Sequence, residues 1–184
     1  MSGDRYFITD QNALYFVTFT VVDWLDIFVR ESYRMQIVSD LNYCIAHKGL
    51  EVYSWCLMTS HLHMIICAKE GHEVSAIIRD FKKHTAKAIV EKIKMEPESR
   101  REDLLWHLEK AGKLDSRITN YKFWQESNHA IHLDPFHTDM IKQKIDYIHE
   151  NPVKEGWVQY AHEYLYSSAK DYAGEKGMVN ISFM

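Results

Sequence analysis

Ser54-Trp-Cys-Leu-Met-Thr-Ser-His-Leu-His-Met-Ile-Ile-Cys-Ala68 sets two apolar runs on either side of a short polar step, Thr59-Ser60. Each run has the length of a strand and the step that of a tight turn, so the stretch predicts a β-hairpin. Side chains alternate along a strand, which puts His61, His63 and Ile65 on one face of the second run and Leu62, Met64 and Ile66 on the other. Two imidazoles at the edge of an apolar core are suited to one divalent cation, because neutral imidazole is a common metal ligand. Two ordinary solvent-facing strand histidines are the plain alternative, and this stretch alone leaves both open.

Working outward, Leu14 to Val22 is β-branched and aromatic, as expected of a buried strand. Asp23 to Phe28 reads as a turn carrying Trp24 and Phe28. Tyr33, Ile37, Leu41, Cys44 and Ile45 fall on one stripe of a helix over Glu31 to His47, which Gly49 stops. Leu50 to Met58 and His61 to Ala68 are the hairpin strands. Val74, Ile77, Ile78, Phe81, Thr85, Ile89 and Ile93 then predict a long amphipathic helix over Glu73 to Lys94. Its other face carries Arg79, Lys82, Lys83 and Lys87, which reads equally as a solvated face or a phosphate-contacting one.

Met95 to Asn120 predicts a short helix and a surface excursion. Of the extended pieces Tyr121 to Gln125 and Ala130 to Leu133, one is expected to complete the sheet. A helix is predicted over Phe136 to Glu150, ended by Asn151-Pro152. The order β-α-β-β-α-β is the ferredoxin-like plan, an α+β fold with an antiparallel sheet and helices on one face.

With 184 residues, 46% of them apolar, the chain can bury one core. The expectation is a single domain over 1–184 with an aromatic C-terminal extension from about residue 153. Met1 to Asn12 reads as a polar lead-in without a signal-peptide layout, and no apolar run is long enough to span a membrane. Cys44, Cys56 and Cys67 are odd in number and sit in apolar segments, as reduced thiols of a cytoplasmic protein would. A net charge of −4 excludes broad coating of a polyanion, so any such contact must be local.

A second motif lies far downstream, in Asp146-Tyr-Ile-His-Glu-Asn-Pro152. Tyr147 and Asn151 are four residues apart and therefore neighbours on one helical face. Set beside the His-x-His strand, they supply two imidazoles, a carboxamide and a phenol able to act as a nucleophile.

Three segments then resemble a known family: Cys56 to Ile66, Phe123-Trp-Gln125 and Asp146 to Val158, with Tyr164 to Tyr172 also similar. The family is that of the HUH (His-hydrophobic-His) single-tyrosine transposases of small insertion sequences, and within it the REP-associated tyrosine transposases. The resemblance implies the HUH endonuclease version of the ferredoxin-like fold. It implies that His61, His63 and Asn151 bind magnesium or manganese and that Tyr147 attacks single-stranded DNA beside hairpins, forming a 5′-phosphotyrosine link. It further implies a bacterial, cytoplasmic protein, nucleoid-associated when bound, acting as a homodimer or a monomer. Asn151 stands where two-tyrosine relatives carry their second tyrosine, which favours one nucleophile. Thr59-Ser60 departs from the Pro-Asn common before the first histidine.

For DNA contact, Lys82, Lys83 and Lys87 are the candidate phosphate ligands, and Tyr53, Trp55, Phe123 and Trp124 the candidate stacking rings, with core packing as their alternative. His129, His132, His137 and His149 are expected at the surface. A hairpin-binding protein that has lost cleavage, and an unrelated metal hydrolase using the two histidines, remain alternatives to the transposase.

Overall fold

The computed structural model describes residues 7–184, so the first half of the polar lead-in lies outside the described residues. Four strands form one antiparallel sheet in the order β2-β3-β1-β4: β1 Leu14–Thr20, β2 Leu50–Leu57, β3 His61–Ala68 and β4 Ile131–Leu133. The helices are α1 Glu31–His47, α2 Val74–Met95, α3 Arg101–Lys113, α4 Thr138–Lys154 and a single turn, α5 Ala169–Tyr172. The expected ferredoxin-like α+β fold is present, with α1 and α2 as its two crossover helices.

Register fixes what each face of the sheet does. β3 pairs with β1 so that Leu62, Met64 and Ile66 lie opposite Phe19, Val17 and Tyr15. All six are at most 1% exposed, and Phe19 meets Phe81 of α2. Each such side chain taken from water stabilises the fold by about 1.5–3 kcal/mol. The alternate residues, His61, His63 and Ile65, lie opposite Thr20, Thr18 and Phe16 and turn to the other face.

α4 covers that second face, outside the β-α-β-β-α-β unit. Tyr147 of α4 meets both Phe16 and His63. β2 changes phase to serve both layers: its register shifts between Val52 and Ser54, so Val52 opposes Ile66 while Ser54 opposes Ile65. One extra residue, Tyr53, is accommodated there as a bulge.

α4 does not end at Asn151-Pro152 as expected. Proline removes one N–H, but its φ is helical and the following residues can continue the turn. The stop comes later, at Gly156 (φ 72), where Gly156 N–H donates to Val153 O at 2.9 Å and Trp157 N–H to Pro152 O at 3.0 Å. This crossed pair of bonds needs a left-handed residue, which glycine adopts without a Cβ clash.

The aromatic C-terminal segment closes the open edge of β2. Leu57 N–H donates to Tyr166 O, Ser168 N–H to Trp55 O, and Ser182 N–H to Val52 O. An exposed strand edge is a template for unwanted pairing, and this segment satisfies it within the chain.

Candidate functional site

β3 brings the two histidines together on the α4 face. Their ring centroids are 4.7 Å apart, a consequence of residues i and i+2 sharing a strand face. His63 is 5% exposed, and its Nδ1 is 2.9 Å from Thr18 Oγ1 on β1. His61 Nδ1 is 3.1 Å from Ser60 Oγ. Neither Nε2 has a hydrogen-bond partner among the described residues. When each Nδ1–H donates to its hydroxyl, each Nε2 keeps its lone pair.

Electrostatics favour the neutral form of both rings. Burial, helped by His61 and Lys144, pushes the pKa of His63 down to about 3. Burial also lowers that of His61, against the attraction of Asp26. A neutral imidazole is the form that coordinates a cation.

α4 carries Tyr147 to the pair. Its ring centroid lies 5.4 Å from that of His63 and 5.9 Å from that of Phe16, and the residue is 41% exposed, open to a large substrate. Two lysines that the sequence reading passed over flank it. Lys154 Nζ is 5.4 Å from the centre of the Tyr147 ring. Lys144 Nζ is 5.9 Å from that ring and 4.8 Å from the Phe16 ring. Their spacing from Tyr147, three residues before and seven after, is the helical signal that could have found them.

Asn151 is on the same helix face as expected, with its side chain turned onto its own helix: Nδ2 donates to Tyr147 O at 2.6 Å. That bond uses the amide nitrogen and leaves the carboxamide oxygen as a donor to a cation. Among the described residues, no three His, Cys, Asp or Glu side chains converge to hold a metal. Among the described residues Asn151 makes no hydrogen bond to either histidine, so the structure pairs the two imidazoles but does not join the amide to them. The two imidazoles are neutral donors, and a cation held by them would keep coordination positions open for the oxygens of an anionic substrate.

His149 is buried, contrary to the expectation of a surface histidine. Its Nε2 lies 3.2 Å from Ser54 Oγ and 2.9 Å from Ser168 Oγ, tying α4 to β2 and to the C-terminal segment. Burial holds its pKa down at about 4, against the attraction of Asp146. His129, His132 and His137 are exposed, as expected.

The lysines expected to meet phosphate separate into two kinds. Lys83 and Lys87 are exposed on α2. Lys82 is half-buried, donating to Gln125 O and Asn128 Oδ1 at 2.8 Å each and lying over the Phe19 ring. Burial and the nearby Lys122 lower its pKa to about 8. Its ammonium pins the 125–128 loop to α2. All three line a groove of about 1060 Å³ between α2 and residues 115–126.

The stacking candidates are mostly core. Trp55, Phe123 and Trp124 are 0%, 2% and 5% exposed, and Trp124 Nε1 donates to the buried Thr85 hydroxyl. Tyr53 is half-buried, its hydroxyl against Glu51 and Cys67.

Comparison with known proteins bears on this site. The model of a family described as "Transposase IS200 like" matches residues 26–109, a span that holds both histidines and ends before α4. Among solved structures, the chain is similar to a REP-associated tyrosine transposase bound to a REP hairpin. The superposition has a TM-score of 0.65 at 19% identity and covers 99% of this chain and 92% of that one. A candidate transposase from Deinococcus radiodurans R1 superposes with a TM-score of 0.44 at 15% identity, over 81% of this chain and 98% of that one. No curated protein matches the sequence.

Proposed function

We propose that this chain is a transposase of the IS200-like kind, whose family model matches residues 26–109, and that it cleaves and rejoins single-stranded DNA beside hairpins with Tyr147 as nucleophile. The observation that carries this reading is the 5.4 Å contact between the exposed Tyr147 ring and the buried His63, which itself packs against the half-buried His61. It is supported by the fold shared with a protein solved on a REP hairpin.

The step is a phosphoryl transfer. Tyr147 Oη attacks the scissile phosphorus as its proton leaves to solvent, and the bond from phosphorus to the 3′-oxygen breaks. The products are a 5′-phosphotyrosine and a DNA 3′-hydroxyl. Attack by the 3′-hydroxyl of a second strand reverses it, conserving the ester. A free phenol titrates near pH 10 and is a weak nucleophile at neutral pH, so the surroundings must help. Lys144 and Lys154, on either side of the ring, hold the phosphate against Tyr147 and oppose the negative charge that develops. A magnesium or manganese ion held by His61, His63 and Asn151 supplies Lewis-acid polarisation of the phosphoryl oxygens when bound. Thr18 and Ser60 orient the two imidazoles toward it.

Within the chain Tyr147 lies against His63, so on this reading one chain can carry both the nucleophile and the histidine pair. Lys83 and Lys87 are proposed to meet hairpin phosphates outside this centre.

The test is incubation with manganese and end-labelled hairpin oligonucleotides, resolved on a denaturing protein gel. A DNA-linked band that disappears in Tyr147→Phe and in the double variant His61→Ala, His63→Ala is the expected result. Hairpin binding with no such band would favour the binder that has lost cleavage. Cleavage surviving in Tyr147→Phe would overturn the nucleophile and favour a metal hydrolase.

A further inference from the structure

Immediately after β1 the backbone does something costly. Asp23 and Trp24 have φ of 53° and 55°, two consecutive left-handed residues, neither of them glycine. Aspartate tolerates that region, but for a bulky ring it is a genuine outlier. Such strain persists only where the surroundings over-determine it, and it concentrates at functional sites. Here three separate anchors impose it. Asp23 Oδ2 is 2.9 Å from His107 Nδ1 of α3. Trp24 N–H donates to Val21 O and Leu25 N–H to Val22 O, closing the turn. Two residues on, Asp26 accepts from the Thr59 hydroxyl of the β2–β3 turn, and its carbonyl accepts from Arg100 Nη1.

What the strained turn displays is an indole that is 59% exposed, with its ring centroid 5.4 Å from that of His61. Burial therefore does not account for its position. Trp24, His61, His63 and Tyr147 form a row of rings, each in contact with the next, with the indole and the phenol at its two ends.

We propose that Trp24 is a stacking platform for one unpaired nucleobase of the DNA strand, within a few nucleotides of the phosphodiester that Tyr147 attacks. This rests on the single-strand nuclease reading above. An exposed aromatic face stacks on any base, because every base presents a π-face, so the platform positions the strand without reading its sequence. Its rigidity is the useful property: a ring already held in place loses little freedom on binding. α3 thereby gains a role, as the buttress that holds the platform through His107.

The experiment is an abasic scan. Fluorescent hairpin oligonucleotides with an unpaired flank are made with one base at a time removed, and binding to wild type, Trp24→Ala and Trp24→Phe is titrated by anisotropy. For wild type, one abasic position in the flank is expected to weaken binding about 5- to 100-fold. Trp24→Ala should bind the intact oligonucleotide more weakly by a similar factor and be insensitive at that one position, while keeping wild-type sensitivity at the others. Trp24→Phe should retain most of the affinity. Melting adds a second readout: Trp24→Gly relieves the backbone, so its melting temperature should equal or exceed that of wild type. Wild-type affinity in Trp24→Ala with an unchanged scan would overturn the platform and leave the nuclease reading standing. So would a uniform loss at every position together with a lowered melting temperature, since that is a structural role. Wild type that neither binds nor cuts any hairpin would bring down the nuclease reading, and the platform with it.

Discussion

The two faces of the sheet are made by the same strands and obey different rules. Toward α1 and α2, Val17, Phe19, Trp55, Leu57, Leu62 and Met64 pack at 0–1% exposure. Toward α4, Thr18, Ser54, His61 and His63 alternate with them, and each has a polar partner. Hydrophobic burial is non-directional and needs only apolar area, so the first face is tolerant in detail and large in total. Buried polar groups are worth little when paired and costly when not, so the second face is demanding in detail. Alternation with period two lets one strand build a stable layer and a reactive one without compromise between them.

The largest separation of the two faces should come from a pair of substitutions. On the proposed mechanism, Tyr147→Phe removes one exposed oxygen, so cleavage should fall by at least about a thousandfold while the melting temperature stays with wild type. Leu62→Ala, one residue from each histidine but on the dry face, should lower unfolding free energy by about 2–5 kcal/mol in a denaturant titration. Variant that still folds at low temperature should still cut. A Tyr147→Phe protein that melts well below wild type would mean that the phenol belongs to the core, and the contrast would fail.

How far the sequence displayed this depends on which physical rule governs each segment. α1, Glu31–His47, and β3, His61–Ala68, match their expected spans, because both are decided by unbroken periodicity and a local stop. The pairing of His61 with His63 was readable for the same reason. β2 hides its phase change: Tyr53 is as good a strand residue as its neighbours, and only the partner strand shows that it is extra. α4 outruns Pro152 because the stop lies in the glycine closure, not in the proline. For Tyr53, Trp55, Phe123 and Trp124 core packing was the reading the structure bears out for three of the four, and Trp24 stayed unweighed because a Trp in an apolar run and a Trp in a turn differ in exposure only once the layers are assembled. Trp124 went inside and Trp24 stayed out. Lys144 and Lys154 were passed over because their relevance depends on Tyr147 being the centre of the face.

A smaller test sharpens the claim that the polar face depends on orientation. Thr18→Val keeps the shape of the side chain and removes the hydroxyl that faces His63 Nδ1. If His63 holds a cation, loss of that orienting bond should weaken manganese binding about 10- to 100-fold by calorimetry. Melting without metal should change far less than for Leu62→Ala. Unchanged manganese affinity would mean that Thr18 does not hold the ring for a ligand's purpose.

Stability in mild acid should separate the faces too. His149 is 8% exposed, with its folded pKa near 4 against an ordinary 6.5. A depressed histidine pKa means that the unfolded chain takes up a proton that the fold refuses. The contribution is therefore whole above about pH 6.5 and is lost as pH falls toward 4. The loss from this one group should reach about 2 kcal/mol by pH 5 and about 3 kcal/mol by pH 4. His149→Gln can still bond Ser54 and Ser168 but does not titrate, so its unfolding free energy should fall less steeply than that of wild type between pH 6.5 and 4. Leu62→Ala, by contrast, should run parallel to wild type over the same range, shifted down but not tilted. Parallel curves for all three proteins would show that His149 is protonated in the fold without penalty, and that the α4 face accepts charge more readily than its packing implies.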